Sequence, residues 1–195
     1  MRVGYYQYCP GFHTPEETRR ALEKRLQHVD ADLLVLPELA VSGYLFRDRE
    51  SVRQLSETVP GPSSDTFCRL AERTGCAFVY GYIERDGTML YNSALFAAPG
   101  GILHNYRKTH LFNTEKGKFY PGDNGYAVID YRGVSLGLLV CFDHMFPEAA
   151  RSLALQGAQI ICHPSNLVLE GYAQLTTRVR SMENRLFWIL ANRTG

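Results

Sequence analysis

The chain has 195 residues, 45% of them hydrophobic, which suits one domain with a sizeable core. Its 21 Lys and Arg against 20 Asp and Glu leave a formal net charge of +1, so no global field exists to gather nucleic acid or anionic lipid, and neither is expected as a partner. No apolar stretch reaches the length of a membrane span, and the opening MRVGYYQYCPGF lacks the apolar core and cleavage site of a signal peptide, so a cytoplasmic location is expected.

The first segment, Arg2 to Tyr8, has the mixture of small and aromatic residues of a strand. TPEETRRALEKRLQHV then reads as a helix, with Thr14 as N-cap, Pro15 at the first helical position and Glu17 completing a capping box. ADLLVLPE is a short apolar run of the buried-strand kind, ended by Pro37, which cannot donate to a sheet ladder. Glu38 therefore falls just past a strand's C-terminal end.

A second helix is predicted over Ser64 to Arg73, stopped by Gly75. The strand CAFVYGYIE, the Asp-Gly turn signal in ERDGTM, the strand MLYNSALFA, the APGG turn and ILHNYRK form consecutive hairpins, so part of the sheet is antiparallel. After a glycine-rich stretch through Asn124, YAVIDYRGVSLGLLVC reads as a hairpin whose second strand delivers Cys141. Pro147 opens the helix PEAARSLALQ, which Gly157 ends. AQIICHPSN is a strand, AQLTTRVRSMENRLF a helix, and WILANRTG begins a further strand. Strand and helix alternate with hairpins between them, which predicts an α/β sandwich in one domain spanning residues 1–195.

The five cysteines, Cys9, Cys68, Cys76, Cys141 and Cys162, are odd in number and contain no CxxC pair, as expected of reduced thiols. Cys141 with His144 and Cys162 with His163 lack the spacing of closed zinc sites, so no metal is expected.

Three reactive side chains share one kind of position. Glu38 follows LLVLP, Lys108 follows ILHNYR, and Cys141 follows GVSLGLLV; functional groups in α/β folds concentrate where rigid strands give way to loops. Lys108 and the helix opening at Pro147 are expected to favour the thiolate of Cys141, and Glu38 would take its proton. Each residue also has a plain structural reading: a buried small hydrophobe for Cys141, a solvated loop charge or cap for Glu38, a surface cation for Lys108.

Together they resemble the nitrilase superfamily of carbon-nitrogen hydrolases. LLVLPELAVSGY is similar to the family's first motif with Glu38, YRKTHLF to the second with Lys108, and VCFDHMFPEAAR to the third with Cys141, while ICHPSN and RSMENRLFWILANRTG extend the likeness over nearly the whole chain. The resemblance implies a four-layer α-β-β-α sandwich in a homodimer or higher homo-oligomer. Family chains run longer at the C-terminus, so the fold is expected to lack its C-terminal strands and extension. KTHLFNTEKGKFYPG places Glu115 where amidase-like members carry a second glutamate that positions substrate or assists Glu38.

The activity implied is hydrolysis of a small amide through a Cys141 thioester, with Lys108 and a backbone N–H near Phe142 stabilising the oxyanion, and with no cofactor. Cys-Phe-Asp after the strand looks like the amidase branches rather than the Cys-Trp-Glu of true nitrilases; a carbamoyl-amide or a nitrile substrate would use the same machinery and stands as the alternative. Tyr44, Phe142, His144, His163 and Asn166 are expected to line the substrate pocket. Two rivals stand beside this reading. One is a Cys-His hydrolase pairing Cys141 with His144 or His163; the other is a non-catalytic scaffold that retains the fold.

Overall fold

In the computed structural model, which describes residues 1–10 and 14–194, the elements alternate as the sequence predicts. Strand β1 (Val3–Tyr5), shorter than the expected Arg2–Tyr8, precedes helix α1 (Pro15–Leu26). The expected capping box is present: the Glu17 amide donates to Thr14 Oγ1 at 3.2 Å and the Thr14 amide to Glu17 Oε2 at 2.9 Å. Strand β2 (Leu33–Val35) follows and is wholly buried.

Helix α2 (Arg49–Leu55) was not anticipated. Its seven residues are too few to display a helical period, and its cap is the carboxylate of Asp48 on the Ser51 amide. Helix α3 (Pro62–Thr74) starts two residues before the expected Ser64, because Ser64 serves the cap itself, accepting from the Gly61 amide at 2.8 Å. Gly75, at φ +70°, ends it in the left-handed conformation.

Strands β3 (Ala77–Asp86), β4 (Met89–Ala98) and β5 (Gly101–Arg107) form the meander. Then come the hairpin β6 (Val128–Tyr131) and β7 (Val134–Leu138), helix α4 (Pro147–Leu155), strand β8 (Ile160–Ser165), helix α5 (Tyr172–Asn184) and strand β9 (Phe187–Asn192).

Two sheets result. The first has the order β1-β2-β3-β4-β5, parallel through β3 and antiparallel beyond it; the second has the order β6-β7-β8-β9, with an antiparallel β6-β7 pair and parallel neighbours after it. Successive side chains on a strand point to opposite faces. Leu33 and Val35 of β2 and Val79 and Phe96 therefore meet Leu136, Leu138, Ile160 and Cys162 between the sheets.

Leu34, Leu36, Phe78 and Tyr80 face outward onto Leu22 and Leu26 of α1 and Phe67 and Leu70 of α3. On the far side, α4 lays Ala149 and Leu153 over Leu139 and Ile161. The architecture is an α-β-β-α sandwich. Burial of each such leucine or phenylalanine contributes about 1.5–3 kcal/mol, a reserve that offsets the cost of charged groups buried at the strand ends.

Candidate active site

Pro37 ends the first sheet's second strand, and the chain then turns through Glu38 and Leu39, the latter at φ +46°. The turn is pressed onto β3: the Gly81 amide donates to the Pro37 carbonyl at 3.0 Å, and the Ala40 amide to the Gly81 carbonyl at 2.8 Å. This contact drives the Glu38 side chain inward, where none of it is exposed.

Lys108, the residue after β5, is held by its backbone between two neighbours. Its amide donates to the Asn92 carbonyl and its carbonyl accepts from the Gly122 amide, both at 2.8 Å. Its Nζ lies 2.6 Å from Glu38 Oε1 and 2.9 Å from Glu115 Oε2. Glu115 sits in a 3-10 turn, Asn113–Gly117, and is buried rather than solvated; the Phe112 amide donates to its Oε2 at 2.8 Å, and Tyr44 donates its hydroxyl to its Oε1. Asn92, in the middle of β4, donates its amide to Glu38 Oε1 at 2.7 Å and to Glu115 Oε1 at 3.1 Å.

Cys141 stands at φ +41°, a conformation that costs free energy in a non-glycine residue and persists only where surroundings enforce it. Two neighbours do so. Asp143, fully buried, accepts from the Val140 amide at 3.0 Å, the Tyr106 hydroxyl at 2.8 Å, and the amide and Nδ1 of His110 at 3.0 and 2.8 Å. On the other side, His163 Nε2 bonds to the Cys141 carbonyl at 2.9 Å, while Trp188 Nε1 donates to His163 Nδ1 at 3.1 Å. The second bond assigns Nδ1 as acceptor and Nε2 as the protonated nitrogen. The thiol donates to the Asn166 carbonyl at 3.4 Å.

Burial dominates the electrostatics. It raises the Glu38 carboxyl above the usual range against the opposing pull of Lys108. It also works against the Lys108 ammonium, but Glu38, Cys141 and Glu115 outweigh it and hold the lysine charged beyond its ordinary range. The Cys141 thiol is pushed well up by burial and then by Glu38, and Lys108 offsets only part of this. The expected lowering of the thiol pKa is therefore absent from the resting protein. The helix α4 opens at Pro147 as expected, with a short 3-10 turn, Cys141–Met145, between it and the thiol.

A cavity of about 20 Å³ opens over Cys141, walled by Phe112, Phe142, His144, Asn166, Leu167, Val168 and Leu169. Of the five residues expected there, Phe142, His144 and Asn166 line it. Tyr44 and His163 do not: Tyr44 is bound to Glu115, and His163 is spent on the Cys141 backbone. His144 bonds Thr176 Oγ1 at 2.6 Å, and burial pulls its pKa down to about 4.

Asn92, Gly81 and Asp143 escaped the sequence reading. The Asn in MLYNSALFA gave a polar signal inside an apolar strand and was the one that carried information. Among the described residues no group of three or more His, Cys, Asp or Glu gathers as metal ligands do, and no helix is long and apolar enough to cross a membrane.

The sequence pattern of the carbon-nitrogen hydrolases matches residues 2–195. A protein of Pyrococcus abyssi described as a nitrilase is 41% identical over 199 residues, covering 100% of this chain and 76% of that protein. An (R)-stereoselective amidase of a Pseudomonas species is 35% identical over 169 residues, covering 85% of this chain and 60% of that protein. Among solved structures, an amidase mutant from Nesterenkonia sp. AN1 superposes with a TM-score of 0.85 at 26% identity, covering 100% of this chain and 79% of that one. That structure shows the result of Michael addition of acrylamide at its active-site cysteine.

Proposed function

The chain belongs to the carbon-nitrogen hydrolase family, whose members similar to it include amidases acting through a cysteine, and on that premise we propose that Cys141 is the nucleophile of a short-chain amidase. The supporting observation is the convergence of Glu38, Lys108 and Glu115 in one buried cluster whose charges act on the Cys141 thiol.

In the proposed cycle, Sγ of Cys141 attacks the amide carbon while Glu38 accepts the thiol proton, so the thiol needs no low resting pKa. The oxyanion is met by the Lys108 ammonium and a backbone N–H of the turn at Phe142; one such donor is typically worth about 3 kcal/mol. The carbon–nitrogen bond then breaks, Glu38 returns its proton to the departing nitrogen, and a thioester remains. Water attacks the thioester, gives its proton to Glu38, and the acid leaves as the thiol is re-formed. Glu115 holds Lys108 from the other side.

The cavity supports an uncharged, short acyl group. Its wall carries no Asp, Glu, Lys or Arg, and His144 is kept neutral, so a charged tail would be desolvated without a partner. Its small volume, about 20 Å³, favours a short acyl group over a long one. Carbamoyl compounds and nitriles remain as rival substrates of the same machinery.

The proposed assembly is a homodimer or higher homo-oligomer, a reading supported by Tyr172, Leu175, Met182 and Phe187, large apolar side chains exposed on α5 and β9. A cytoplasmic setting is supported by the five cysteines, all of which are free thiols.

The test is ammonia release from acetamide, propionamide, succinamic acid, N-carbamoyl-β-alanine and propionitrile, by the wild type and by Cys141→Ala. Release from the two neutral amides that vanishes in the variant supports the proposal. Preferential release from the carbamoyl compound or the nitrile transfers the chain to that branch, and undiminished release by Cys141→Ala removes Cys141 from the chemistry.

A further inference from the structure

Glu38 is buried completely, yet its two carboxylate oxygens are treated unequally. Oε1 accepts from Lys108 Nζ at 2.6 Å and from Asn92 Nδ2 at 2.7 Å. Oε2 has no partner among the described residues. A buried carboxylate oxygen without a donor is costly, and such groups persist where a reaction uses them. Asn92 repeats the asymmetry: its Nδ2 serves Glu38 and Glu115, while its Oδ1 lies buried without a donor. A purely structural asparagine in the middle of a strand would have both ends of its amide satisfied.

We propose that Asn92 is a positioning residue for the reaction: with Lys108 it saturates Oε1 of Glu38 and so leaves Oε2 as the oxygen that carries the proton between thiol, leaving nitrogen and water. This rests on the assignment of Glu38 as proton carrier made above.

The geometry explains why an amide stands there. The groups around Glu38 are Lys108, Glu115, Tyr44 and Cys141, which already place two carboxylates about one ammonium. A second cation would stabilise the ionised form of Glu38 further and make it a poorer base, whereas a carboxylate would repel both glutamates. A neutral donor on a rigid strand holds the rotamer of Glu38 without adding charge. The Asn92 carbonyl also accepts from the Lys108 backbone, so one residue of β4 registers both Glu38 and Lys108.

The experiment compares Asn92→Leu and Asn92→Ala with the wild type in kcat, KM, the pH profile of kcat/KM and melting temperature, with Glu38→Gln alongside. Losing the donor should lower kcat by about 10- to 100-fold. KM should stay within about twofold, since Asn92 does not line the cavity. The acidic limb of kcat/KM should move to higher pH, because a carboxylate that loses a donor binds its proton more tightly.

Asn92→Leu keeps the shape of the side chain and adds no charge, so it separates the lost donor from the space that alanine leaves. A lowered melting temperature with kcat and the acidic limb unmoved would reduce Asn92 to a structural residue and overturn the proposal. Full turnover by Glu38→Gln would instead remove Glu38 as proton carrier, a separate failure of the underlying reading.

Discussion

Gly81 and Glu38 are in backbone contact that only a glycine permits: a Cβ on Gly81 would lie 2.6 Å from the Glu38 Cα and 2.4 Å from the Leu39 nitrogen. Neither obstacle is the end of a flexible side chain, so relief requires the Pro37–Leu39 turn to move away from β3. Gly81→Ala is expected to lower turnover by about 100-fold, the usual consequence of displacing a reacting group by about 1 Å. Overpacking of this kind also costs about 1–3 kcal/mol of stability. Steady-state kinetics and a thermal melt check both; retention of full turnover would mean that Glu38 does not depend on this contact.

His163 predicts how stability changes with pH. Burial lowers its pKa from 6.5 to about 3, so the folded protein holds it neutral through a range in which the unfolded chain takes up a proton. The stability tied to that neutral ring is complete above pH 6.5 and is lost progressively as pH falls toward about 3. Within that window the wild type should lose about 1.4 kcal/mol per pH unit more than His163→Gln in urea titrations. Parallel curves for the two proteins would contradict a neutral, buried His163.

Asp143 makes a larger demand on stability. Asp143→Ala strands the Val140 and His110 amides beside Cys141, while the Tyr106 hydroxyl keeps Thr109 Oγ1 as an acceptor, and each unsatisfied donor costs about 1–3 kcal/mol. A total loss above about 3 kcal/mol is expected, with Asp143→Asn intermediate because the amide oxygen still accepts. Urea denaturation measures it. A near-neutral Asp143→Ala would show that the positive φ of Cys141 is held by something else.

Stability without a role in the chemistry is expected of Glu84. It is buried on β3 and accepts from the Ser93 hydroxyl at 2.6 Å, Asn105 Nδ2 at 2.8 Å and Arg107 Nε at 3.0 Å, joining all three strands of the meander. Glu84→Ala leaves Arg107 paired with Asp86 and Asp123 but takes the acceptor from the Ser93 hydroxyl and the Asn105 amide, and each unsatisfied donor costs about 1–3 kcal/mol. A change in melting temperature below 1 °C or so would place the Glu84 bonds among solvent-screened contacts.

The layered fold was legible because strong local signals agreed with one another: the Thr14 capping box, the left-handed stop at Gly75, Pro147 at the first turn of α4, and hairpins marked by glycine. Helix α2 was not, since its cap lies on Asp48 and its one buried position, Val52, shows no period.

In the site, Glu38, Lys108 and Cys141 announced themselves by standing where strands end. Asn92 and Gly81 sit in strand interiors, and what they touch is set by the pairing of β3 with β4 and by the approach of the Pro37 turn. The direction of the Cys141 pKa was misjudged for a related reason: sequence displays the neighbouring charges but not the loss of water around them.

Trp188 is the only tryptophan of the chain, and its indole reaches the Cys141 carbonyl through a single intervening ring, His163, set at 90° to it. The indole emission thus originates two hydrogen bonds from the backbone carbonyl of Cys141. Light absorbed near 295 nm has no other indole to excite, and the chain carries its own fluorophore for following, without a label, whatever the turn at Cys141 does during a turnover.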